Sequence, residues 1–528
     1  MRLLWVRRDF CPAFSLLPFL LCAFLGPALP GDTPPAPEPA AVPEPATAGV
    51  SALPLESAAA GVSAALPLFT APAEGSWIRG PVVLRIAPGD DDGGNLPFML
   101  IRTETVSGKR AMLIGGAVLE LGGERDEITH VRVEAYIEDA EGNRRSLGQT
   151  NFTLDPSTVY VSAVSGTRDG DGSRQRPLST LDAGLALAER LGSNVIYLSG
   201  DMRLRGEAAL GGGLCLRGSY GPSWEKSAEP LTLVFEQDAS IRVRGGALTL
   251  EGLRLERRSV SGPVFRIETG GELCLRGVSL VHDGMFALLD EGALVVEGSS
   301  VSSFSAASRR EALVQSENSR ISIEGSSFEL EGNYGLMLEM TGGSLGIKDS
   351  SFSAACVKTG TVLSLSGVRA EFQEAAFFVE AGDFASILES KNSSFIIRNS
   401  AFRARARDAV LVSLENEAAS DDPFLFLDSV FTVESSFVAR ALELRGFFPS
   451  VSGCSFIYTG NGRNSEIFSL VAEPLRPARL PLPGFIGGNS FTAFRYIMGR
   501  EYPLDSLRAF NRIFAPQGRD NVIAAPEI

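Results

Sequence analysis

The sequence predicts an all-β protein: a long solenoid of stacked β-coils behind a small β-sandwich. Three observations predict it. An eight-residue pattern, apolar-x-apolar-x-[Gly/Asp/Asn]-x-x-apolar, recurs eleven times between residues 214 and 491. Short apolar runs alternate with turn residues between 66 and 156. The composition is 44% apolar and 21% charged, with 56 Gly and 32 Phe, enough to build large cores and too apolar for a chain disordered throughout. A length of 528 residues would suggest three or four domains at about 150 residues each. A solenoid escapes that limit because each coil contacts only its neighbours.

Taken in order, residues 1–31 read as a secretory signal peptide. Arg2, Arg7 and Arg8 form a basic front, 13–26 is an apolar run too short for a comfortable span, and Gly26, Ala28 and Gly31 supply small residues for cleavage. The alternative is an uncleaved anchor. Lipidation at Cys22 is disfavoured by bulky Leu21 before it. No later stretch offers 18 uncharged apolar residues, so no second anchor is expected. Residues 32–65 are a Pro/Ala-rich spacer, DTPPAPEPAAVPEPATA followed by the duplication AGVSALPL and AGVSAALPL. Export would place Cys215, Cys274, Cys356 and Cys454 in an oxidising space. Their wide spacing suits core and turn positions better than a disulfide framework.

Residues 66–156 carry strand signals. Val131, Val133, Ala135 and Ile137 alternate with polar residues, and Glu141-Gly142-Asn143 marks a turn before a last strand at 149–154. The stretch GPVVLRIAP from Gly80, followed by Ala135, Asp139 and Gly142-Asn143, resembles Ig-like modules beside carbohydrate-active and surface domains, the chitobiase C-terminal type among them. That resemblance implies a spacer, with carbohydrate binding as the alternative. Asp90-Asp91-Asp92 reads as a solvated loop, with Ca²⁺ as the alternative.

The repeat fills the rest, 157–528. Its copies begin at Leu214, Leu248, Leu273, Leu294, Ile321, Leu345, Leu363, Phe395, Phe424, Pro449 and Gly484. Gaps run from 18 to 35 residues around a mean of about 26, which allows three strands and three turns per coil. Position five holds Gly218, Gly252, Gly277, Gly298, Gly325, Asp349, Gly367, Asn399, Asp428, Gly453 and Gly488, all types that tolerate positive φ. Position eight holds Leu255, Leu280 and Val301, then Phe328, Phe352, Phe402, Phe431, Phe456 and Phe491. Coils stack about 4.8 Å apart, so these predict an internal aromatic column. Position six carries Ser299, Ser326, Ser350, Ser400 and Ser429 with Cys454 in the same slot, a structural serine ladder in which the cysteine replaces a serine.

The entry to the repeat, VYVSAVSGTRDGDGSRQRPLSTLDAGLALAERLG from Val159, resembles the start of right-handed parallel β-helix proteins of the pectate-lyase-like superfamily. The matching residues are Tyr160, Val161, Ser162, Gly166, Pro177, Leu178, Thr180 and Leu181, while Gly184 stands where Ala is usual. The resemblance implies a helix, about 180–191, capping the open end of the stack. Leu181, Leu185, Ala188 and Leu191 are its expected inner face and Ser179 or Thr180 its N-cap. The tail from 504 onward reads as the opposite cap.

Fold does not carry function over. The polygalacturonase-type members have several Asp with a Gly-His-Gly motif. Here His282 lies in Val-His-Asp-Gly, His130 lies in the sandwich, and Asp421-Asp422 lacks flanking partners. No pectate-lyase-type acidic cluster is recognisable. Glu297 and Glu324 fall on successive coils, about 5 Å apart at the backbone and near the 5–5.5 Å of a retaining carboxylate pair, but Arg276 and Lys348 flank them on the same ladder. Asp169-Gly170-Asp171-Gly172 is half of a Ca²⁺ loop and reads as a turn. Arg403, Arg405 and Arg407 alternate outward and are the candidate contacts for an anionic ligand. The net charge of −15 argues against nucleic acid and anionic lipid. No cofactor or metal is expected. The sequence therefore points to an exported, non-catalytic β-helix protein, a structural or binding (adhesin-like) protein of the periplasm or cell surface with a possible carbohydrate partner. The alternatives are a polysaccharide lyase or hydrolase acting on an acidic glycan, and a secreted passenger exported by a partner channel.

Overall fold

A computed structural model describes residues 68–523, apart from connecting segments of which the longest are 88–95, 122–128, 417–423 and 472–485. The expected signal peptide and spacer, the Asp90-Asp91-Asp92 run and Asp421-Asp422 lie outside the described residues. The chain divides at residue 63, and every described residue belongs to the second unit.

Eight strands come first: β1 (Leu68–Thr70), β2 (Ser76–Ile78), β3 (Val82–Ala87), β4 (Leu96–Thr105), β5 (Gly108–Gly115), β6 (Val118–Leu121), β7 (Thr129–Glu138) and β8 (Arg144–Leu154). They form a three-stranded sheet, β1-β3-β6, and a five-stranded one, β2-β8-β7-β4-β5. The period-2 pattern of β7 sends Val131, Val133 and Ala135 inward, where they meet Leu84 and Ile86 of β3, Ile101 of β4 and Phe152 of β8 in one small core. The alternate residues His130 and Arg132 stay exposed.

From β9 (Val159–Ser162) onward the chain is a parallel β-helix with three sheets. In the first, Leu248, Leu273, Leu294, Ile321, Leu345, Ala370 and Phe395 lie in register on successive coils. In the second, Leu233, Leu255, Leu280 and Val301 lead into the phenylalanines. In the third, Ile267, Leu289, Ser316, Met340, Leu365, Ser390, Leu414 and Leu444 form one inward column. All three apolar faces join in one continuous core.

The register corrects the repeat at one coil. Leu363 does not follow Leu345. It pairs with Leu338 and Leu388 in the third sheet, while Leu345 pairs with Ala370. The true copy is AEFQEAAF from Ala370, 25 residues from its neighbours at 345 and 395. The pattern misassigns this coil because a second corner also needs left-handed backbone. Gly270, Glu291, Asn318, Gly342, Gly367 and Asn392 all have positive φ there, and Gly367 belongs to that series. The first corner instead uses Glu374, at φ 54°.

The first copy departs too. Its left-handed residue is Ser219 (φ 61°), not Gly218. Gly218 is glycine for another reason: a Cβ there would meet Leu253 Cδ2 at 2.4 Å.

Restoring the coil at 370 completes the aromatic column with Phe377. Ring centroids of Phe328, Phe352, Phe377 and Phe402 follow one another at 5.0, 5.3 and 5.0 Å, stacked within 26° of parallel. Phe431, Phe456 and Phe491 continue it at 5.0, 4.9 and 5.1 Å. These rings are buried, so the column is core, each ring contributing about 1.5–3 kcal/mol by burial.

The serine ladder also forms. Ser299 Oγ accepts the Val278 amide, Ser326 Oγ the Ser299 amide, and Ser350 Oγ the Ser326 amide, at 3.0–3.1 Å. Each hydroxyl donates to the carbonyl two residues earlier. Amides at the tight bend, which the sheet ladders do not reach, are satisfied in this way. Towards the C-terminus asparagine takes over: Asn489 Oδ1 accepts from Cys454 N and Asn521 Oδ1 from Asn489 N.

Helix α1 (Leu181–Leu191) lies between β9 and the next strand and packs on the first coil, with Thr180 Oγ1 capping Ala183 N and Gly192 closing it at φ 65°. Its buried face is Leu181, Gly184, Leu187 and Ala188, with Leu185 at the margin. Leu191, expected inside, is 42% exposed, because α1 is seated by its closest approach at Gly184 instead. A Cβ on Gly184 would meet Val161 Cγ2 at 2.4 Å, which accounts for glycine at this position. At the other end, α2 (Leu507–Phe514) packs on the last coils, and Val522–Ile523 adds to the second sheet beside Phe491.

Candidate functional site

The outward residues of the first sheet form the mixed-charge ladder expected from position four. Glu297 and Glu324 are register partners. Each is held by a cation on its far side: Arg276 Nε lies 2.9 Å from Glu297, and Lys348 Nζ 2.8 Å from Glu324. Arg217 pairs with Glu251 at 3.1 Å one coil earlier. The two register partners thus direct their charge at opposite neighbours.

Arg403, Arg405 and Arg407 stand on the outer face of the second sheet, about 60% exposed, with Ala404 and Ala406 buried between them. All three have acidic partners. Arg403 Nε donates to Glu434 Oε1 at 2.9 Å and its guanidinium lies over Phe378, 5.7 Å from the ring centre. Arg405 sits between Glu380 (3.5 Å) and Glu434 (3.7 Å). Arg407 donates to its neighbour Asp408 at 3.0 Å. Glu434 therefore serves two arginines. An anion arriving here would exchange with partners already in place, which exposed pairs of this kind permit at a cost of about 0–1 kcal/mol each.

The interior holds polar groups whose inward placement the sequence reading did not anticipate. Arg257, His282 and Ser303 are register partners whose side chains point into the core on successive coils of the second sheet. Arg257 Nη1 donates to the Gly262 carbonyl at 3.0 Å. His282 is 1% exposed. Burial, reinforced by the Arg257 charge against an opposing backbone bond at Asp283, holds its pKa down to about 4. The imidazole is neutral at ordinary pH and enclosed, so it is a core group. Only alternation along Leu253–Arg257 and Ser279–Asp283 could have placed these two inward.

The thiols are equally enclosed. Burial pushes Cys454 up to about 12 and Cys356 up to about 11, which leaves them poor nucleophiles. Cys454 lies in the serine slot, its sulfur 3.5 Å from the Ser452 carbonyl. All four described cysteines are free. Among the described residues no group of three or more His, Cys, Asp or Glu is placed to hold a metal ion, and no helix is long and apolar enough to cross a membrane.

An aromatic clasp joins the small sheets to the first coil. Tyr160 stacks on Tyr197 (5.4 Å) and meets Trp224 (4.8 Å) and Trp77 (6.5 Å) edge-on. Its hydroxyl donates to Asp155 at 2.7 Å. Burial and the Asp155 carboxylate raise this phenol well above its ordinary value. Arg174 covers the Trp77 ring at 4.3 Å.

No known family's sequence profile matches the chain, nor does any curated protein. Among solved structures, a GH136 lacto-N-biosidase from Eubacterium ramulus is 11% identical over 59% of this chain and 68% of its own, with a TM-score of 0.27. The catalytic domain of a GH87 α-1,3-glucanase in complex with nigerose is 11% identical over 82% and 92%, at 0.24. A pectate lyase from Pectobacterium carotovorum is 9% identical over 75% and 91%, at 0.10. Likeness at these scores bears on neither activity nor substrate; the β-helix assignment rests on the strand register of the chain itself.

Proposed function

We propose that this chain is an exported, non-catalytic β-helix protein that acts as a rigid structural or binding element at the cell surface or in the periplasm. The observation that carries the reading is the use of charge on the solenoid. The carboxylate pair Glu297 and Glu324, register partners on successive coils, is divided between Arg276 and Lys348, whereas acid–base chemistry needs two carboxyl groups whose environments differ. Export is supported by the basic front and apolar run of 1–31. The two-sheet region is read as an Ig-like spacer, and Arg403, Arg405 and Arg407 as an exchangeable contact for an acidic polymer.

The test is a glycan panel presented to the chain from residue 32 onward, with released reducing and unsaturated ends measured in parallel. Retention of a glycan without new ends is expected. Product formation abolished by Glu297→Gln with Glu324→Gln would establish a hydrolase and sink this reading.

A further inference from the structure

A basic groove lies on the outer face of the five-stranded sheet of the small region. Its volume is about 600 Å³, within the range of small-ligand sites. The antiparallel register of β4 and β7 sets Arg102 directly opposite Arg132, and Glu104 opposite His130. Ile101, Val131 and Val133 are in the core, so alternation turns both arginines outward into the groove.

Like charges directly opposite on neighbouring strands destabilise a sheet. Here no ion pair to either arginine offsets them among the described residues. Glu104 is engaged by Lys109 at 3.0 Å. Arg132 reaches only the neutral Gln149 side chain, at 3.5 Å. Among the described residues neither Arg102 nor Arg132 has a carboxylate partner, in a chain of net charge −15. This contrasts with Arg403, Arg405 and Arg407, each already neutralised. Around the two guanidinium groups the groove presents hydrogen-bonding side chains: His130, fixed by Thr153 Oγ1 at 2.9 Å from Nδ1, and Asn151 on the neighbouring strand opposite Arg132, whose amide already accepts from Gly75 N at 3.1 Å and donates to Glu74 at 3.0 Å.

We propose that this groove binds a carboxylate-bearing oligosaccharide, with the uronate carboxylate bridging Arg102 and Arg132 and the adjoining hydroxyls meeting His130, Thr153 and Asn151. Planar guanidinium groups match a carboxylate bidentately, and a mixed set of donors and acceptors suits the hydroxyls beside it. The inference concerns the small region alone and stands whether or not the solenoid is catalytic.

The test is calorimetric titration of the chain from residue 32 onward with trigalacturonate, maltotriose, hexaglutamate and inorganic sulfate. Trigalacturonate should bind saturably and weaken with salt, and the other three at least ten-fold less tightly. Arg102→Ala or Arg132→Ala should each weaken it ten-fold or more, with thermal stability equal to or above that of the parent because the like-charge pair is removed. Arg144→Ala, in the same sheet and paired with Glu138, should bind as the parent does. Absence of saturable trigalacturonate binding, equal binding of maltotriose or hexaglutamate, or loss confined to an Arg403/Arg405/Arg407 triple variant would each overturn the proposal.

Discussion

His282 shows what a single residue costs inside a solenoid. Its neighbours on the same inward column are Arg257, one coil before, and Ser303, one coil after; Leu330 follows. Its pKa is about 4 folded, against 6.5 when solvated. The unfolded chain therefore binds this proton first as pH falls. The stability tied to the neutral ring is complete above pH 6.5, is lost progressively between 6.5 and 4, and changes no further below. The loss amounts to roughly 3 kcal/mol. His282→Leu places in this column a residue the chain already uses at 330. It should match or exceed the parent at pH 7.5 and lose less stability on acidification to pH 4.5, read as the difference in thermal midpoint between the two proteins. An identical acid loss in both would remove His282 as the titrating group.

At the scale of elements, two devices hold each coil: a left-handed corner and an inward ring. Eight-residue periodicity made both legible, since Gly, Asn and Asp mark corners and Phe marks the column. It failed at the coil of 370, where Glu374 takes the left-handed conformation that sequence patterns reserve for smaller residues, and where Leu363–Gly367 mimics the motif at a different corner. Phe377, hidden by that error, sits between Phe352 and Phe402 in unbroken contact. Phe377→Ala should cost about 3–5 kcal/mol, comparable to Phe402→Ala, measured by urea unfolding. A cost near zero would mean the column is not continuous there. Helix α1 makes the same point more locally. The resemblance implied its extent and periodicity its inner face, but the observed contact face was set by how closely Gly184 approaches Val161.

For the whole molecule, the junction between the small sheets and the first coil rests on a few rings. Trp77 from β2 touches Tyr160 at the head of the solenoid, while Arg174 from the loop before α1 covers it. Trp77→Ala should uncouple the two parts. The parent is expected to melt in one transition, and the variant to show an early transition for the small region with the solenoid midpoint little changed. A single unshifted transition would show that the rings do not couple them.

The fold class, the bend of most coils and the aromatic and serine ladders were legible in the chain alone, because a solenoid writes its neighbours into the chain as a repeat: the residue about 25 positions on is the residue stacked above. Tertiary structure alone decided the rest. Which corner a glycine occupies depends on strand register, as at 363 and 370. Whether outward charges are paired depends on partners distant in sequence: Glu434 claims Arg403 and Arg405, whereas antiparallel pairing sets Arg102 against Arg132, thirty residues apart. The physical reason is the same in each case. Backbone periodicity fixes the direction a side chain points, and only packing fixes what it meets there.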